Sequence, residues 1–267
     1  MYLSYYGLEF NPFDKGIDVK YSYETSDFKL LNNRLEFIKE NKGIALITGN
    51  PGLGKTYTIR NFISKLNPNL YKSVYICMST LTVQEFYKHL CYELDIEPPF
   101  KKIDMFKAIQ ERIINLVKDR KINVVIIIDE AQYLKTTILN DLKLLFNFEL
   151  DSKNYVSLIL VGQPVLNNIL NRNTFEALRQ RITISYNMIG ITKDELVSYI
   201  NDRLETAHGN KGIFNEQAYE TIYSACNGSL RVANNIITKC LIIGKNKEKQ
   251  IIDSEIVLEA SNELSLG

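Results

Sequence analysis

Residues 49–56 read GNPGLGKT and place three glycines, a lysine and a threonine between an apolar run and a helical pattern, in a chain with only 13 glycines. The spacing is G-x-x-x-x-G-K-T, in which a glycine-rich loop directs several backbone N–H groups into one phosphate-binding concavity. We predict that Lys55 reaches the β- and γ-phosphates of a nucleotide and that the Thr56 hydroxyl holds Mg²⁺. A glycine turn without a ligand is the alternative. The predicted nucleotide-binding residues are Asn50, Pro51, Gly52, Leu53, Gly54, Lys55, Thr56 and Tyr57.

Two carboxylates follow the most apolar run of the chain, in the segment NVVIIIDEAQYL. The run at residues 123–128 is typical of a parallel strand buried on both faces. Asp129 and Glu130 would then lie at the carboxyl edge of the sheet, where ligands of open α/β folds bind. We predict that Asp129 holds Mg²⁺ through water and that Glu130 orients and deprotonates the attacking water. Because this glutamate follows directly, hydrolysis is favoured over transfer of phosphate to a small acceptor.

Apolar runs alternate with amphipathic stretches along the first 190 residues. Such alternation predicts a doubly wound α/β domain with a parallel sheet. From residue 192 onward only helical patterns occur, so we predict an α/β domain at residues 1–190 and a small all-helical domain at residues 191–267. The predicted strands are residues 43–48, 73–78, 123–128, 155–161 and 182–186, and the predicted helices are residues 55–66, 83–94, 104–118, 137–149, 193–208, 215–226, 230–244 and 253–264.

The composition is that of an ordinary globular chain, with 45% apolar and 24% charged residues. The longest aliphatic run, residues 124–128, is far shorter than the roughly 20 residues of a membrane helix, and the N-terminus lacks a secretory signal pattern. We therefore expect a cytoplasmic protein with no membrane partner. The four cysteines and two histidines lack the spacing of a zinc site or a disulfide framework. The net charge of +1 predicts that any DNA contact comes from a local patch or from an oligomer.

With these motifs the chain resembles the AAA+ ATPases, residues 49–56 being Walker A and residues 124–130 Walker B. Within them it is most similar to the ExeA-like branch, through YYGLEFNPF at residues 5–13, LVGQPVL at residues 160–166 and LRQRI at residues 178–182. That branch includes general secretion ATPases and transposon helper ATPases, which resemble the transposition regulators TnsC, MuB and IstB. The resemblance covers nearly the whole chain. It implies an ATPase that uses ATP and Mg²⁺, with a P-loop sheet domain followed by a helical lid.

The resemblance also implies roles for residues outside the two motifs. Gln163 matches the position of a polar γ-phosphate sensor, although it is otherwise an ordinary polar residue after a predicted strand. Arg179 and Arg181 lie where this superfamily presents an arginine finger to the nucleotide of a neighbouring subunit, a charge that stabilises phosphoryl transfer. Salt bridges of these arginines with Glu176 or Glu149 are the alternative. A finger supplied by a neighbour implies a homo-oligomer.

In the predicted helical domain, GSLR at residues 228–231 resembles the second sensor of the superfamily. The resemblance implies that Arg231 contacts the γ-phosphate from the lid and belongs to the nucleotide-binding residues. A basic residue at a helix N-terminus opposes the helix dipole, so an anionic partner is expected. Residues 1–40 would pack near the nucleotide, with Tyr6, Leu8 and Phe13 near the adenine. Aromatic core packing is the alternative for these three.

Two biological roles follow from the resemblance. In the first, the protein is a DNA-dependent ATPase that assembles as a ring or filament on double-stranded DNA and delivers a transposase to its target. Proteins of this kind contact DNA through the loop after the second strand and the start of the next helix. Such phosphate contacts give affinity but no sequence information. The alternative is that the lysines of this segment, Lys101 and Lys102, belong to a solvated turn that does not contact DNA. The corresponding residues are Thr80, Thr82, Gln84, Lys101 and Lys102.

In the second role, the protein is an ExeA-like secretion ATPase, which uses hydrolysis to assemble a pore through the cell wall. Such proteins carry a transmembrane segment and a wall-binding region after the ATPase part, and this sequence stops at Gly267 with neither. We therefore expect the first role. Glu130 and the expected arginine finger argue against a third class, a P-loop module that binds nucleotide as a passive switch.

Overall fold

A computed structural model describes residues 2–14, 23–77, 81–148 and 153–265. The chain divides into two compact units. The sheet unit comprises Leu30–Asn50 and Lys55–Met188, and the helical unit comprises Met1–Lys29, Pro51–Gly54 and Ile189–Gly267. The strands are β1 (Gly43–Gly49), β2 (Tyr71–Ile76), β3 (Asn123–Ile128), β4 (Val156–Gly162) and β5 (Ile182–Met188). The α-helices are α1 (Tyr2–Tyr5), α2 (Ser26–Asn41), α3 (Lys55–Lys65), α4 (Val83–Glu93), α5 (Lys102–Ile114), α6 (Thr136–Leu145), α7 (Val165–Leu170), α8 (Glu176–Arg179), α9 (Lys193–Thr206), α10 (Glu216–Cys226), α11 (Leu230–Asn246) and α12 (Ser254–Ser265).

The sheet unit contains a five-stranded sheet in the order β2-β3-β4-β1-β5. Every pair of neighbouring strands is parallel. β1 and β4 are buried at every position, which explains their almost unbroken apolar sequences. The predicted parallel α/β sheet is confirmed. Because the strands are parallel, the segments that follow β1, β3 and β4 emerge at one edge of the sheet.

Some element bounds differ from the prediction. β2 begins at Tyr71 and ends at Ile76, two residues earlier at each end than the predicted strand, because its register with β3 starts at Asn123. Helix α2 was not predicted from the sequence, and its side chains of Leu31, Leu35 and Ile38 are fully buried. Their spacing of four and three residues is that of one helix face.

The helical unit contains α9 to α12 and the N-terminal segment. Capping residues start three of these helices: Thr192 with Glu195 for α9, Asn215 for α10 and Ser229 for α11. Among the described residues, no helix combines the length and the apolar character needed to cross a bilayer.

The N-terminal segment belongs to the core of the helical unit. Tyr6, Leu8 and Phe13 are buried there, and a Cβ on Gly209 would lie 2.4 Å from Leu8 Cδ2. The predicted division into residues 1–190, with residues 1–40 near the nucleotide, and residues 191–267 stays a prediction. In the structure, Met1–Lys29 clusters with the C-terminal helices. The physical reason is this apolar packing, which composition does not assign to one core or another.

Candidate nucleotide site

The lysine of the glycine-rich motif is held by the loop that precedes it. Lys55 is the first residue of α3 and is only 6% exposed. Its Nζ donates to the carbonyl oxygens of Gly49 at 2.7 Å and Asn50 at 2.9 Å. A buried ammonium group needs such acceptors, and a phosphate oxygen is a stronger one than a carbonyl. Two carbonyl oxygens therefore hold the Lys55 ammonium group at the base of the loop, and its positive charge favours the binding of a phosphate there.

The loop itself has the backbone conformation that its glycines predict. Gly52 and Gly54 have φ angles of +85° and +95°, which glycine adopts at little cost. A Cβ on Gly52 would lie 2.3 Å from Ser229 Oγ and 3.3 Å from Arg231 Cβ, all three residues belonging to the helical unit. Arg231 is exposed and near the start of α11. The predicted second-sensor arginine thus lies beside Gly52, where a side chain would meet Ser229 and Arg231.

The Asp129 carboxylate, which follows β3, is buried, and both of its oxygens accept hydrogen bonds. Its Oδ2 accepts from Thr56 Oγ1 at 2.9 Å and from the Tyr75 hydroxyl at 2.7 Å, and its Oδ1 accepts from the Glu130 backbone N at 2.9 Å. Thr56 and Asp129, the two predicted Mg²⁺ residues, therefore meet. A hydroxyl and a carboxylate suit Mg²⁺, which takes oxygen ligands and keeps several waters. These residues fit the ion.

Tyr75 is a site residue that sequence reasoning missed. It lies one position before the end of β2 and pairs in register with Ile127 of β3. Burial, together with the hydrogen bond to Asp129, raises the pKa of Tyr75 well above its usual range. The phenol therefore stays protonated and remains a donor. The signal in the sequence was a tyrosine near the end of an apolar strand. Its partner, Asp129, could not be identified from the sequence, because this depends on which strands are neighbours in the sheet.

The predicted base has an unusual backbone conformation. Glu130 has φ 53° and ψ 37°, a left-handed conformation that costs a residue with a side chain about 1 kcal/mol. Its Oε2 accepts from Gln132 Nε2 at 2.6 Å, and the Gln163 backbone N donates to Gln132 Oε1 at 3.0 Å. The structure thus brings the base candidate and the sensor candidate together through Gln132. Sequence reasoning did not single out Gln132, although the Gln two residues after Glu130 was visible.

A second set of hydrogen bonds connects the end of β1 with α7 and with the end of β5. Thr48 is 1% exposed, and its hydroxyl accepts from Asn167 Nδ2 at 3.1 Å while donating to Asn187 Oδ1 at 3.0 Å. These bonds satisfy a hydroxyl that would be costly to bury without partners. They also fix the segment after β4 relative to the glycine-loop strand.

The two arginine-finger candidates are both half-buried and both donate to backbone carbonyls of the sheet unit. Arg179 Nη1 donates to the carbonyls of Leu170 at 3.4 Å and Asn171 at 3.0 Å, at the C-terminal end of α7. Arg181 Nη1 donates to the carbonyl of Lys143 at 3.0 Å. Glu149, one of the alternative salt-bridge partners, lies outside the described residues.

The predicted DNA contacts around α4 differ in their surroundings. Thr80 lies outside the described residues. Thr82 caps α4 and donates its hydroxyl to Glu85 Oε2 at 2.6 Å, so a carboxylate occupies the place where a phosphate was expected. Gln84 Nε2 donates to the carbonyl of Phe100 at 3.2 Å. Gln84 is therefore linked to the loop before α5.

The two lysines at the start of α5 also differ. Lys102 Nζ lies 2.5 Å from Asp141 Oδ2 and 5.3 Å from the centre of the Tyr87 ring. Lys101 is exposed and makes no ion pair within the described part of the chain. Next to it, Phe100 is 85% exposed. Lys101 is thus the better placed of the two lysines for a partner outside the chain.

Residues 38–170 match the family model of the AAA domain. The chain carries an AAA ATPase domain. This AAA chain is 29% identical to general secretion pathway protein A of Aeromonas hydrophila, over 97% of its own length and 48% of that protein. It is 26% identical to the ATP-dependent target DNA activator B of Escherichia phage Mu, over 91% of its own length and 73% of the activator.

Among solved structures, Cdc6p from Pyrobaculum aerophilum has a TM-score of 0.68 to the AAA chain at 18% identity, covering 94% of this chain and 70% of that one. The similarity shows a shared fold. The AAA chain spans about half of the Aeromonas protein, 48% of its length.

Proposed function

We propose that this AAA ATPase binds double-stranded DNA as an ATP-dependent homo-oligomer, a ring or a filament, and delivers a transposase to its target. The observation that carries the proposal is the combination of a complete Walker A and B arrangement with similarity, over 91% of the chain, to a protein named as an ATP-dependent target DNA activator. The proposal includes a cytoplasmic location.

The proposed chemistry is hydrolysis of ATP. Lys55 and the backbone N–H groups of residues 52–56 bind the phosphates, and Thr56 and Asp129 hold Mg²⁺. Mg²⁺ supplies neutralisation of phosphate charge when it is bound. Glu130 takes a proton from water as the water oxygen bonds to the γ-phosphorus, and the bond from that phosphorus to the bridging oxygen breaks to release ADP.

The remaining polar residues would act on the γ-phosphate. Gln163 follows β4 and would sense this phosphate. Arg231 would contact it from the helical unit, and either Arg179 or Arg181 would reach the nucleotide of a neighbouring subunit. A guanidinium in such a position stabilises the transition-state charge. Because one subunit would not supply its own finger, hydrolysis would require an assembled oligomer.

Contact with DNA would come from the loop before α5. Lys101 would pair with a phosphate, next to the exposed Phe100, while Gln84 holds the loop through the Phe100 carbonyl. Each subunit supplies a small patch, which fits a net charge of only +1 when many copies repeat along one duplex. Such contacts would bind DNA with little sequence preference.

A second candidate is an ATPase of a general secretion pathway. The observation that favours it is the 29% identity to general secretion pathway protein A, which covers 97% of this chain. The nucleotide chemistry would be the same for both candidates. They differ in the partner, which is DNA in the first and a protein of the secretion machinery in the second.

The test is fluorescence anisotropy of a labelled random-sequence duplex titrated with protein, with ATP and Mg²⁺, with ADP, and without nucleotide, at two salt concentrations. We expect cooperative binding that requires ATP and weakens as salt rises, because phosphate contacts release counterions. The Glu130→Gln variant should bind ATP and remain assembled on DNA. Absence of binding in every nucleotide state, with ATP hydrolysis intact, would reject the DNA role and favour the secretion candidate.

A further inference from the structure

One side chain joins the two strand ends that carry the candidate base and the candidate sensor. Gln132 Nε2 donates to Glu130 Oε2 at 2.6 Å, and Gln132 Oε1 accepts from the Gln163 backbone N at 3.0 Å. Glu130 follows β3 and Gln163 follows β4, and these two strands are neighbours in the sheet. The amide therefore bridges adjacent strand ends at the nucleotide edge.

The partners determine how the Gln132 amide is oriented. A backbone N–H only donates, so the amide oxygen has to face Gln163. The Glu130 Oε2 is the acceptor of the other hydrogen bond, so the amide nitrogen has to face Glu130. A rotation of the amide by half a turn would break both hydrogen bonds. The link thus has one arrangement in which every group is satisfied.

The end of β4 leaves room for this amide. A Cβ on Gly162 would lie 2.6 Å from Gln132 Oε1 and 3.0 Å from Leu166 Cδ2, both closer than an ordinary contact. Gly162 does not have a positive φ, so its backbone conformation does not require glycine. A methyl group at this position would therefore displace the Gln132 amide and press on the Leu166 side chain.

Glu130 depends on its neighbours for its position. Its backbone is held in the left-handed region, where its N–H donates to Asp129 Oδ1 at 2.9 Å. Its side chain is half-buried and is held by Gln132. Without that bond, the carboxylate could turn about its side-chain torsions and lose a defined relation to the segment after β4.

We infer that Gln132 is a positioning residue for ATP hydrolysis, tying one oxygen of the Glu130 carboxylate to the backbone of Gln163 and leaving the other oxygen to take the proton of the attacking water. The inference rests on the proposed role of Glu130 as the base. It has a second consequence, since any shift of Gln163 in response to the γ-phosphate is passed to the base through a single amide. Gln132 would thus couple the sensing of the phosphate to the step that removes it.

The main test is the Gln132→Met variant, which keeps the length of the side chain and removes both hydrogen bonds. We expect kcat for ATP hydrolysis to fall about tenfold, the rate equivalent of one hydrogen bond to a charged group, while KM and the affinity for a fluorescent ATP analogue change less than twofold. Gln217→Met, on the exposed face of α10, is the matched control and should leave all three unchanged.

Two further variants separate positioning from a general loosening of the sheet. Gln132→Glu still accepts from Gln163 but places a second carboxylate against Glu130, so kcat should fall at least as far as in Gln132→Met. Gly162→Ala should lower kcat by displacing the amide. The double variant Gly162→Ala with Gln132→Met should be no slower than the slower single variant, because both remove the same link. Additive losses would instead point to general damage and overturn the inference.

The Glu130→Gln variant, measured in parallel, distinguishes failure of this inference from failure of the proposed chemistry. If Glu130→Gln stops hydrolysis while Gln132→Met keeps the wild-type kcat, the inference is overturned and the proposed base stands. Weaker nucleotide binding in Gln132→Met, with kcat unchanged, would overturn it as well. If Glu130→Gln hydrolyses ATP normally, the base assignment and the inference both fall. Thermal unfolding of each variant establishes that the compared proteins are folded.

Discussion

The carboxyl edge of the sheet and the loop before α5 differ in the exposure of their side chains and in the partners that these side chains have. At the sheet edge, Asp129 is 2% exposed and accepts three hydrogen bonds from protein groups. Before α5, Phe100 is 85% exposed, and Lys101 has no ion pair among the residues that the structure describes. The difference indicates that hydrogen bonds within the fold position the side chains for nucleotide chemistry. The exposed side chains before α5 would instead be paired by contact with a macromolecular partner.

The contrast also divides the predicted DNA contacts. Thr82 and Lys102, like Asp129 at the sheet edge, already have a partner in the same chain. Thr82 is bonded to the carboxylate of Glu85, and Lys102 is paired with that of Asp141. Breaking such a pair to reach DNA would cost part of what the new contact gains. Lys101 carries no such cost, and we therefore assign it the larger share of any DNA affinity.

The largest expected effect comes from removing the ammonium group at the sheet edge. Lys55→Ala should abolish nucleotide binding and hydrolysis, because it removes the charge anchored at the base of the loop by two carbonyls. Lys65→Ala, at the exposed end of the same helix, is the control and should bind nucleotide as the wild type does. Retained binding of a fluorescent ATP analogue by Lys55→Ala would contradict the assignment of the site.

A smaller loss is expected from Tyr75→Phe, which removes one of the three donors to Asp129. The Mg²⁺ concentration for half-maximal ATPase activity should rise about tenfold, as for other partners that orient a metal ligand, with kcat at saturating Mg²⁺ nearly unchanged. Tyr71→Phe, at the other end of β2, is the matched control. An unchanged Mg²⁺ dependence would mean that Thr56 and the Glu130 N–H orient Asp129 sufficiently without the phenol.

The nucleotide motif could be predicted because its information is local. The spacing from Gly49 to Thr56 specifies a turn, a phosphate loop and a helix start within eight residues, and the apolar run before Asp129 specifies a buried strand. Because ligands of open α/β folds bind at the carboxyl edge of the sheet, the ends of β1 and β3 can then be assigned to one site. The sheet class and the association of Thr56 with Asp129 needed no further information.

The partners of Asp129 and Glu130 could not be predicted in this way. Tyr75 reaches Asp129 because β2 pairs with β3 in a particular register, and Gln132 reaches Gln163 because β4 is the other neighbour of β3. Strand order and register depend on packing across the whole sheet, which the spacing of residues along the chain does not specify. The contact of Arg181 with the Lys143 carbonyl, 38 residues away along the chain, likewise depends on tertiary packing.

At the loop before α5, we expect a moderate effect that differs between adjacent lysines. Lys101→Ala should weaken DNA binding a few-fold and reduce the slope of log affinity against log salt by about 1, because one phosphate would no longer be neutralised by the protein. Lys102→Ala should change the slope less, because its charge is already paired with Asp141. Equal effects of the two substitutions on the slope would reject the distinction, and no effect of either would remove this loop from the DNA surface.

The smallest expected effect is on stability. It is found by comparing α4 and α9, which both start with a capping box of a threonine and a glutamate. In α9, Glu195 accepts from the Thr192 backbone N at 3.0 Å and also from the Ser26 backbone N at 2.7 Å. Glu85 of α4 is exposed and accepts from the Thr82 backbone N of its own capping box at 2.7 Å. Although burial acts in the opposite direction, the hydrogen bonds to Glu195 lower its pKa. Glu195→Gln should therefore reduce the free energy of unfolding by about 1 kcal/mol near neutral pH, and Glu85→Gln by less.

The pH dependence of this stability gives the decisive measurement, by urea unfolding of the wild type and Glu195→Gln. A carboxyl whose pKa is lowered on folding contributes stability that is fully present above its unfolded pKa and is lost as pH falls through its folded pKa. The difference between the two proteins should thus be constant well above the ordinary glutamate pKa of about 4.3 and shrink as pH falls below it, toward the lowered pKa of Glu195 in the folded protein. A difference that stays constant through that acid range would show that the contribution of the capping bonds does not depend on the charge of Glu195.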